Sequence, residues 1–204
     1  MISIYSRIAL ILTIVTGLLC FIYYHFNLEL PYFNSALNII VISLLVLFFL
    51  RTNIRWQAVF KASKINGFKV SRAGWYKSVF QELIQWIFYL MISWFILNYL
   101  IQGYLIAYVL MLFIFESFLH IIIGIKHYKI VILENSITMI NNNVLIISLN
   151  ETKRIVNRHN DLQFKLKNNT IKIFDLDYLN SIDREDFENQ IKEIAFKKEI
   201  FIDS

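Results

Sequence analysis

The stretch Arg51–Lys77, RTNIRWQAVFKASKINGFKVSRAGWYK, decides how this chain is built. It carries Arg51, Arg55, Lys61, Lys64, Lys69, Arg72 and Lys77 and no acidic residue. The runs on either side, Ile8–Tyr24 and Ala36–Leu50 before it and Phe80–Ile125 after it, are nearly free of charge. A 204-residue chain that is 57% hydrophobic and clusters its apolar residues in this way is not an ordinary soluble domain. The expected division is a transmembrane region over residues 1–125, with a basic loop at 51–79, and an aqueous domain over residues 126–204. The second part is about the smallest size at which a domain folds alone.

The formal charge of +5 follows the same division. From Lys126 onward twelve Lys/Arg balance twelve Asp/Glu, so the whole excess lies in the apolar part. Basic residues beside membrane spans account for it without a nucleic-acid partner. The single cysteine, Cys20, excludes an internal disulfide and a cysteine metal site. Leu19 just before it is too bulky for a lipoprotein signal, and no small-x-small cleavage site follows the first run, which is therefore read as a retained helix.

Four spans are expected, at about Ile8–Tyr24, Phe33–Leu50, Phe80–Ile101 and Tyr104–Ile125. Each approaches the roughly 20 residues that cross the hydrocarbon at 1.5 Å per residue. Gln102-Gly103 reads as the turn between the last two, and Asn38 and Ser43 as helix-packing hydrogen bonders. Neither outer connection carries Lys or Arg, so the seven cations of the middle loop orient the chain. Both termini and the C-terminal domain are expected in the cytoplasm. The seven cations, interleaved with Trp56, Phe60, Phe68, Trp75 and Tyr76, are read as membrane-surface residues facing anionic headgroups. A loop that only sets topology is the plainer alternative.

Ionisable groups inside spans are site candidates by default. Glu116 and His120 are four apart, on one face of the fourth span. The hairpin register sets His120 level with Gln85 and Glu116 level with Tyr89, with Glu82 on the same face. Glu82, Gln85, Tyr89, Glu116 and His120 are thus the expected intramembrane polar cluster. It suits a proton relay or substrate path on one reading, and interhelical hydrogen bonding on the other. One histidine with a carboxylate is too few ligands for a metal site, and no cofactor is expected.

Beyond Lys126 the period becomes that of strands. Tyr128–Leu133, Ser136–Ile140, Val144–Leu149, Thr152–Arg158, Asp161–Lys167 and Thr170–Phe174 are separated by Glu134-Asn135, Asn141-Asn142-Asn143, Asn160-Asp161 and Asn168-Asn169. Asparagine tolerates the left-handed backbone of tight hairpins. An amphipathic helix follows over about Asp183–Phe196, with Asp183 as cap and Phe187, Ile191, Ile194 and Ala195 as apolar stripe. The expected class is an antiparallel meander closed by one helix.

These strands after a membrane hairpin, then Ile173-Phe174-Asp175-Leu176-Asp177-Tyr178-Leu179 and the acidic-capped helix Glu185-Asp186-Phe187 through Ile191, resemble the bacterial pleckstrin-homology-like domains of small membrane proteins, the YcxB-like group. The resemblance covers about ninety residues and implies a curled sheet of about seven strands with a C-terminal helix. Phosphoinositide binding is not carried over, because the first hairpin, Glu134-Asn135-Ser136, has no cations. Lys153, Arg154, Arg158, Lys165, Lys167 and Lys172 read as a solvated strand face or one turned to the membrane.

No nucleophile elbow, phosphate-cradling glycine loop or zinc-protease helix is present, and His127 and His159 have no evident partners. The expectation is a non-enzymatic membrane protein whose domain binds a protein partner, a second copy or the membrane surface, as in stress-response or immunity proteins with such domains. The alternative is an oligomeric transporter or channel subunit using Glu116 and His120, since four spans alone do not enclose a path.

Overall fold

The computed structural model describes residues 2–26, 28, 31–100, 103–141, 144–158 and 160–203. Ile101, Gln102, Asn142, Asn143 and His159, which entered the sequence reading, lie outside them. The described chain divides into two compact units: Met1–Gln57 with Val79–Ile123, and Ala58–Ser78 with Gly124–Ser204. The expected loop over 51–79 is therefore split. Residues 58–78 belong to the second unit.

The first unit holds helix α1 (Ile2–His25) and most of α2 (Phe33–Ser63), α3 (Arg72–Tyr99) and α4 (Tyr104–His127), whose ends at 58–63, 72–78 and 124–127 belong to the second unit. All four are long and apolar enough to cross a membrane. All four run past the expected spans at one end or both. α2 has 31 residues, about 46 Å of helix, so Arg51 falls roughly 27 Å from its start and remains helical. Nothing in Arg51–Ser63 breaks a helix: there is no glycine or proline until Gly67.

Inside this unit Cys20, Leu44, Ile96, Leu110 and Phe113 are fully buried, while Ile39, Phe49, Met91 and Phe115 are exposed. An apolar exterior around a packed interior is what a lipid solvent permits. Small residues let helices close: a Cβ on Gly17 would meet Ile92 at 3.2 Å. At the end away from the basic stretch, Tyr23 stacks on Phe33 and Tyr24 packs on Phe95 and Tyr99, as aromatic belts do at membrane interfaces. Ser43 does not bridge helices as expected. Its hydroxyl donates to Ile39 O in its own helix, 2.9 Å away, the local bond that a serine side chain forms with the carbonyl four residues back.

The second unit contains two four-stranded sheets. One has the order β1-β2-β3-β4, with β1 (Phe68–Lys69), β2 (Lys129–Leu133), β3 (Ser136–Ile140) and β4 (Val144–Ser148). The other has the order β7-β6-β5-β8, with β5 (Thr152–Arg158), β6 (Asp161–Leu166), β7 (Ile171–Asp175) and β8 (Phe201–Asp203). Every pairing is antiparallel except β5 with β8. The six strands read from sequence are present within a residue or two. β1 and β8, of two and three residues, are additions that no alternation could reveal.

In β6 the expected alternation holds: Leu162, Phe164 and Leu166 are buried. Asn169 has φ 62°, the left-handed turn expected of its pair. Helix α5 (Ser181–Lys197) buries Phe187, Ile191 and Ala195. Phe187 stacks on Phe174 at 5.0 Å and meets Phe68 edge-on at 5.7 Å. Asp183 does not cap the helix, which starts two residues earlier; its carboxylate accepts from the Asn180 side chain at 3.0 Å instead.

The N-terminal turn of α3 is fixed within this unit. Ser71 O accepts from Trp75 N at 2.9 Å, and Ser71 Oγ accepts from Gly74 N at 3.0 Å, the geometry of an N-cap. Ser71 N donates to Tyr178 O at 2.8 Å, and its hydroxyl donates to Asp177 O. Lys77 then reaches both Asp175 and Asp177. Asp177 also accepts from Asn160 and Arg184. The Asp175-Leu176-Asp177 motif is thus a strand-exit turn that anchors a helix start: Asp175 Oδ1 accepts from Asp177 N at 2.8 Å to begin a 3₁₀ turn over Leu176–Tyr178.

Candidate functional site: a buried arginine–glutamate cluster in the helical unit

Three helices each contribute charge to one buried spot. Arg51 and Arg55 are one turn apart on α2, Glu82 lies on α3, and Glu116, Ser117 and His120 lie on α4. Arg51 Nη2 donates to Glu82 Oε2 at 2.9 Å and to Ser117 Oγ at 2.7 Å. Its Nη1 is 3.5 Å from Glu116 Oε2. Arg55 Nη1 lies 3.2 Å from Glu116 Oε2 and 3.3 Å from Ser117 Oγ, and its Nη2 is 3.3 Å from Glu82 Oε1. Each arginine therefore contacts both carboxylates, and Ser117 serves both arginines. Arg55 Nη2 also lies 3.0 Å from His120 Nδ1. A guanidinium only donates, so Nδ1 accepts.

Aromatic rings wall the cluster. Arg51 sits over the Phe113 ring at 5.5 Å, Tyr89 packs against the same ring at 5.6 Å, and Trp56 meets the His120 ring edge-on at 5.5 Å. The two arginines are each 1% exposed and Glu82 and Glu116 are 3% and 6%. Two cations and two anions leave no net charge. In a low-dielectric interior an unpaired charge is far more costly than a paired one, and here each guanidinium bridges the two carboxylates through one contact to each, which offsets part of that cost.

The structure brings Glu82, Glu116 and His120 together as the sequence expects. Tyr89 is buried beside them, but its hydroxyl has no hydrogen-bond partner among the described residues, and neither has Gln85 Oε1. Arg51 and Arg55, expected on the membrane surface, are inside instead, because α2 stays helical and turns both toward α3 and α4. The other five cations are elsewhere. Lys61, Lys64, Lys69 and Arg72 are exposed, and Lys77 holds the two aspartates. Sequence reasoning missed the arginines and Ser117. The signal was there: an Arg-x-x-x-Arg pair just past an apolar run, with two glutamates in the opposite hairpin and no other partner for them.

Among the described residues no group of three or more His, Cys, Asp or Glu could hold a metal ion. Comparison with family models, with curated proteins and with solved structures gives no match, so fold and site stand on their own geometry.

Proposed function

We propose that this chain is a non-enzymatic membrane protein in which a charge-locked four-helix anchor carries a cytoplasmic interaction module of the pleckstrin-homology-like, YcxB-like type. The observation that carries the reading is the closed balance of the buried cluster. Both arginines are matched by carboxylates at 2.9–3.5 Å, so the cluster fastens α2, α3 and α4 and leaves no net charge to attract an ion. A conduit needs charge that is exposed to a water path at some stage.

Two sheets, antiparallel except for the β5–β8 pair, together with amphipathic α5 support the module reading, as does the exposed row Lys153, Arg154, Arg158, Lys165, Lys167 and Lys172. Lys61, Lys64, Lys69 and Arg72 still outnumber the cations of the outer connections, where none occurs. That asymmetry favours both termini in the cytoplasm, and the YcxB-like resemblance favours a bacterial inner membrane. A protein partner or a second copy of the chain would then be met by the sheet unit.

Two measurements on the full-length chain test this. Photo-crosslinking residues placed at Lys153 and Lys165 should capture a discrete protein in membranes, whereas one at lipid-facing Ile39 should not. Reconstituted vesicles should show no proton or ion flux above empty ones. A flux that Glu116→Gln abolishes would replace this reading with the transport one.

A further inference from the structure

Between the first turn of α3 and the last turn of α4, within the sheet unit, lies a cavity of about 290 Å³ lined by Val70, Ser71, Arg72, Trp75, Ile125 and Tyr128. We propose that this cavity binds the phosphate headgroup of an acidic phospholipid drawn from the surrounding bilayer.

The third candidate span opens at Arg72 and the fourth closes at His127, so the cavity lies at the same end of both candidate spans, beyond the apolar runs that start at Phe80 and end at Ile125. Its chemistry is amphipathic. Arg72 is exposed, forms no ion pair among the described residues, and is the one cation of the lining, which has no carboxylate. Trp75 lines the same cavity, and its indole Nε1 is buried without a hydrogen-bond partner among the described residues. A buried N–H donor left unpaired is an uncommon state that an acceptor oxygen would relieve. The guanidinium suits a phosphate, and a turn of the Trp75 ring toward the cavity brings the buried indole N–H to it as a second donor. Ile125, 55% exposed at the rim, offers apolar surface for an acyl chain.

The occupant is lipid rather than a soluble phosphate because apolar residues border the polar groups at the membrane boundary, where a free anion gains nothing from them. Lys61, Lys64 and Lys69 on the preceding segment are exposed and add attraction to an anionic leaflet. The inference rests on the proposed membrane placement and deepens it. The crosslinking test above reads β5 and β6, so either idea can fail while the other stands.

The experiment is native mass spectrometry of the full-length chain in detergent, titrated with phosphatidylglycerol and, separately, phosphatidylcholine. The expected result is a single phosphatidylglycerol adduct that survives activation, with phosphatidylcholine bound more weakly. Arg72→Gln should weaken the adduct roughly fivefold, the effect of one interfacial cation. Trp75→Phe, which keeps the ring and removes only the N–H, should weaken it too, and gives the answer if the arginine variant fails to fold. Lys192→Gln, exposed on α5 and outside the cavity, should leave it unchanged. Equal binding of the two lipids, indifference to both cavity variants, or full displacement by inorganic phosphate would overturn the proposal.

Discussion

Arg51 and Glu82, thirty-one residues apart in sequence, meet at 2.9 Å with side chains 1% and 4% exposed. Their contact ties α2 to α3 in a region where lipid supplies no hydrophobic force between helices. Helix association there depends on close packing and on polar bonds of this kind.

The first prediction concerns that pair. Arg51→Met alone leaves Glu82 and Glu116 with one cation between them, and should cost about 3–5 kcal/mol of stability, as breaking a buried pair does. Glu82→Leu alone should cost a similar amount. The double variant Arg51→Met/Glu82→Leu removes one charge of each sign and keeps Arg55 with Glu116, so it should be more stable than either single variant. Thermal unfolding in detergent micelles, arranged as a double-mutant cycle, measures the coupling. Additive losses would show that the pair does not act as a unit.

A second prediction concerns Gly74 in the first turn of α3. An alanine there would ordinarily raise helix stability by about 1 kcal/mol. Here its Cβ would lie 2.5 Å from Tyr178 Cδ1 and 2.9 Å from Tyr178 Cα. The ring could swing away, but the Cα belongs to the 3₁₀ turn held by Ser71 and cannot move alone. Overpacking should decide the sign, with a net loss of about 1–3 kcal/mol. Chemical denaturation followed by tryptophan fluorescence, with Trp75→Phe as the reference that isolates the Trp75 signal among the four tryptophans, would report it, and a stabilised variant would show that this contact yields.

These two sites show what the sequence made legible and what it did not. Span positions, both glutamates, His120 and six strands follow from hydropathy and periodicity, which are local signals. Arg51 and Arg55 were misplaced because charge after an apolar run normally marks the membrane edge. Only the tertiary position of Glu82 and Glu116 shows that the helix continues inward-facing. β1 and β8 are too short to have a period, and the packing of 58–78 against strands more than fifty residues later is a non-local fact. The turn at Asp175-Leu176-Asp177 and its grip on Lys77 depend on a segment that the sequence assigns to the membrane loop.

That grip gives the third prediction. Hydrogen bonding from Lys77 at 2.8 Å, reinforced by its charge and by Asn160 and Arg184, holds the Asp177 carboxyl below the usual carboxylate range, against a smaller opposing effect of burial. A depressed folded-state pKa stabilises the fold above the unfolded-state value and loses that contribution as pH falls through the folded-state value. Asp177→Asn should therefore be less stable than the parent at pH 7, by about 1 kcal/mol or less because the carboxylate is over a third solvent-exposed. The gap should close progressively below about pH 4. Melting temperatures of the two chains from pH 7 to pH 3 test it; a gap that widens on acidification would contradict the sign.

The last prediction concerns cutting the chain at the boundary that hydropathy suggests. A fragment of residues 126–204 retains β2–β8 and α5 but loses everything in Ala58–Ser78. Phe68 and Lys69 would no longer pair with Ile130 and Lys129, so the outer edge of β2 would be left open. The Phe68 ring would be gone from Phe187, and Val59 and Ala62 from the cluster they form with Tyr128 and Ile140. Tyr128 and Ile140 are 2% and 6% exposed in the intact chain and would face water. An open edge strand beside a fresh apolar patch is a template for self-association. The fragment should therefore form dimers or larger species in light scattering, whereas one in which residues 58–78 are joined ahead of Gly124 by a flexible linker should be monomeric or nearly so. If the short fragment is a stable monomer, residues 58–78 contribute little to the sheet unit, and their burial there is a consequence of tethering rather than of folding.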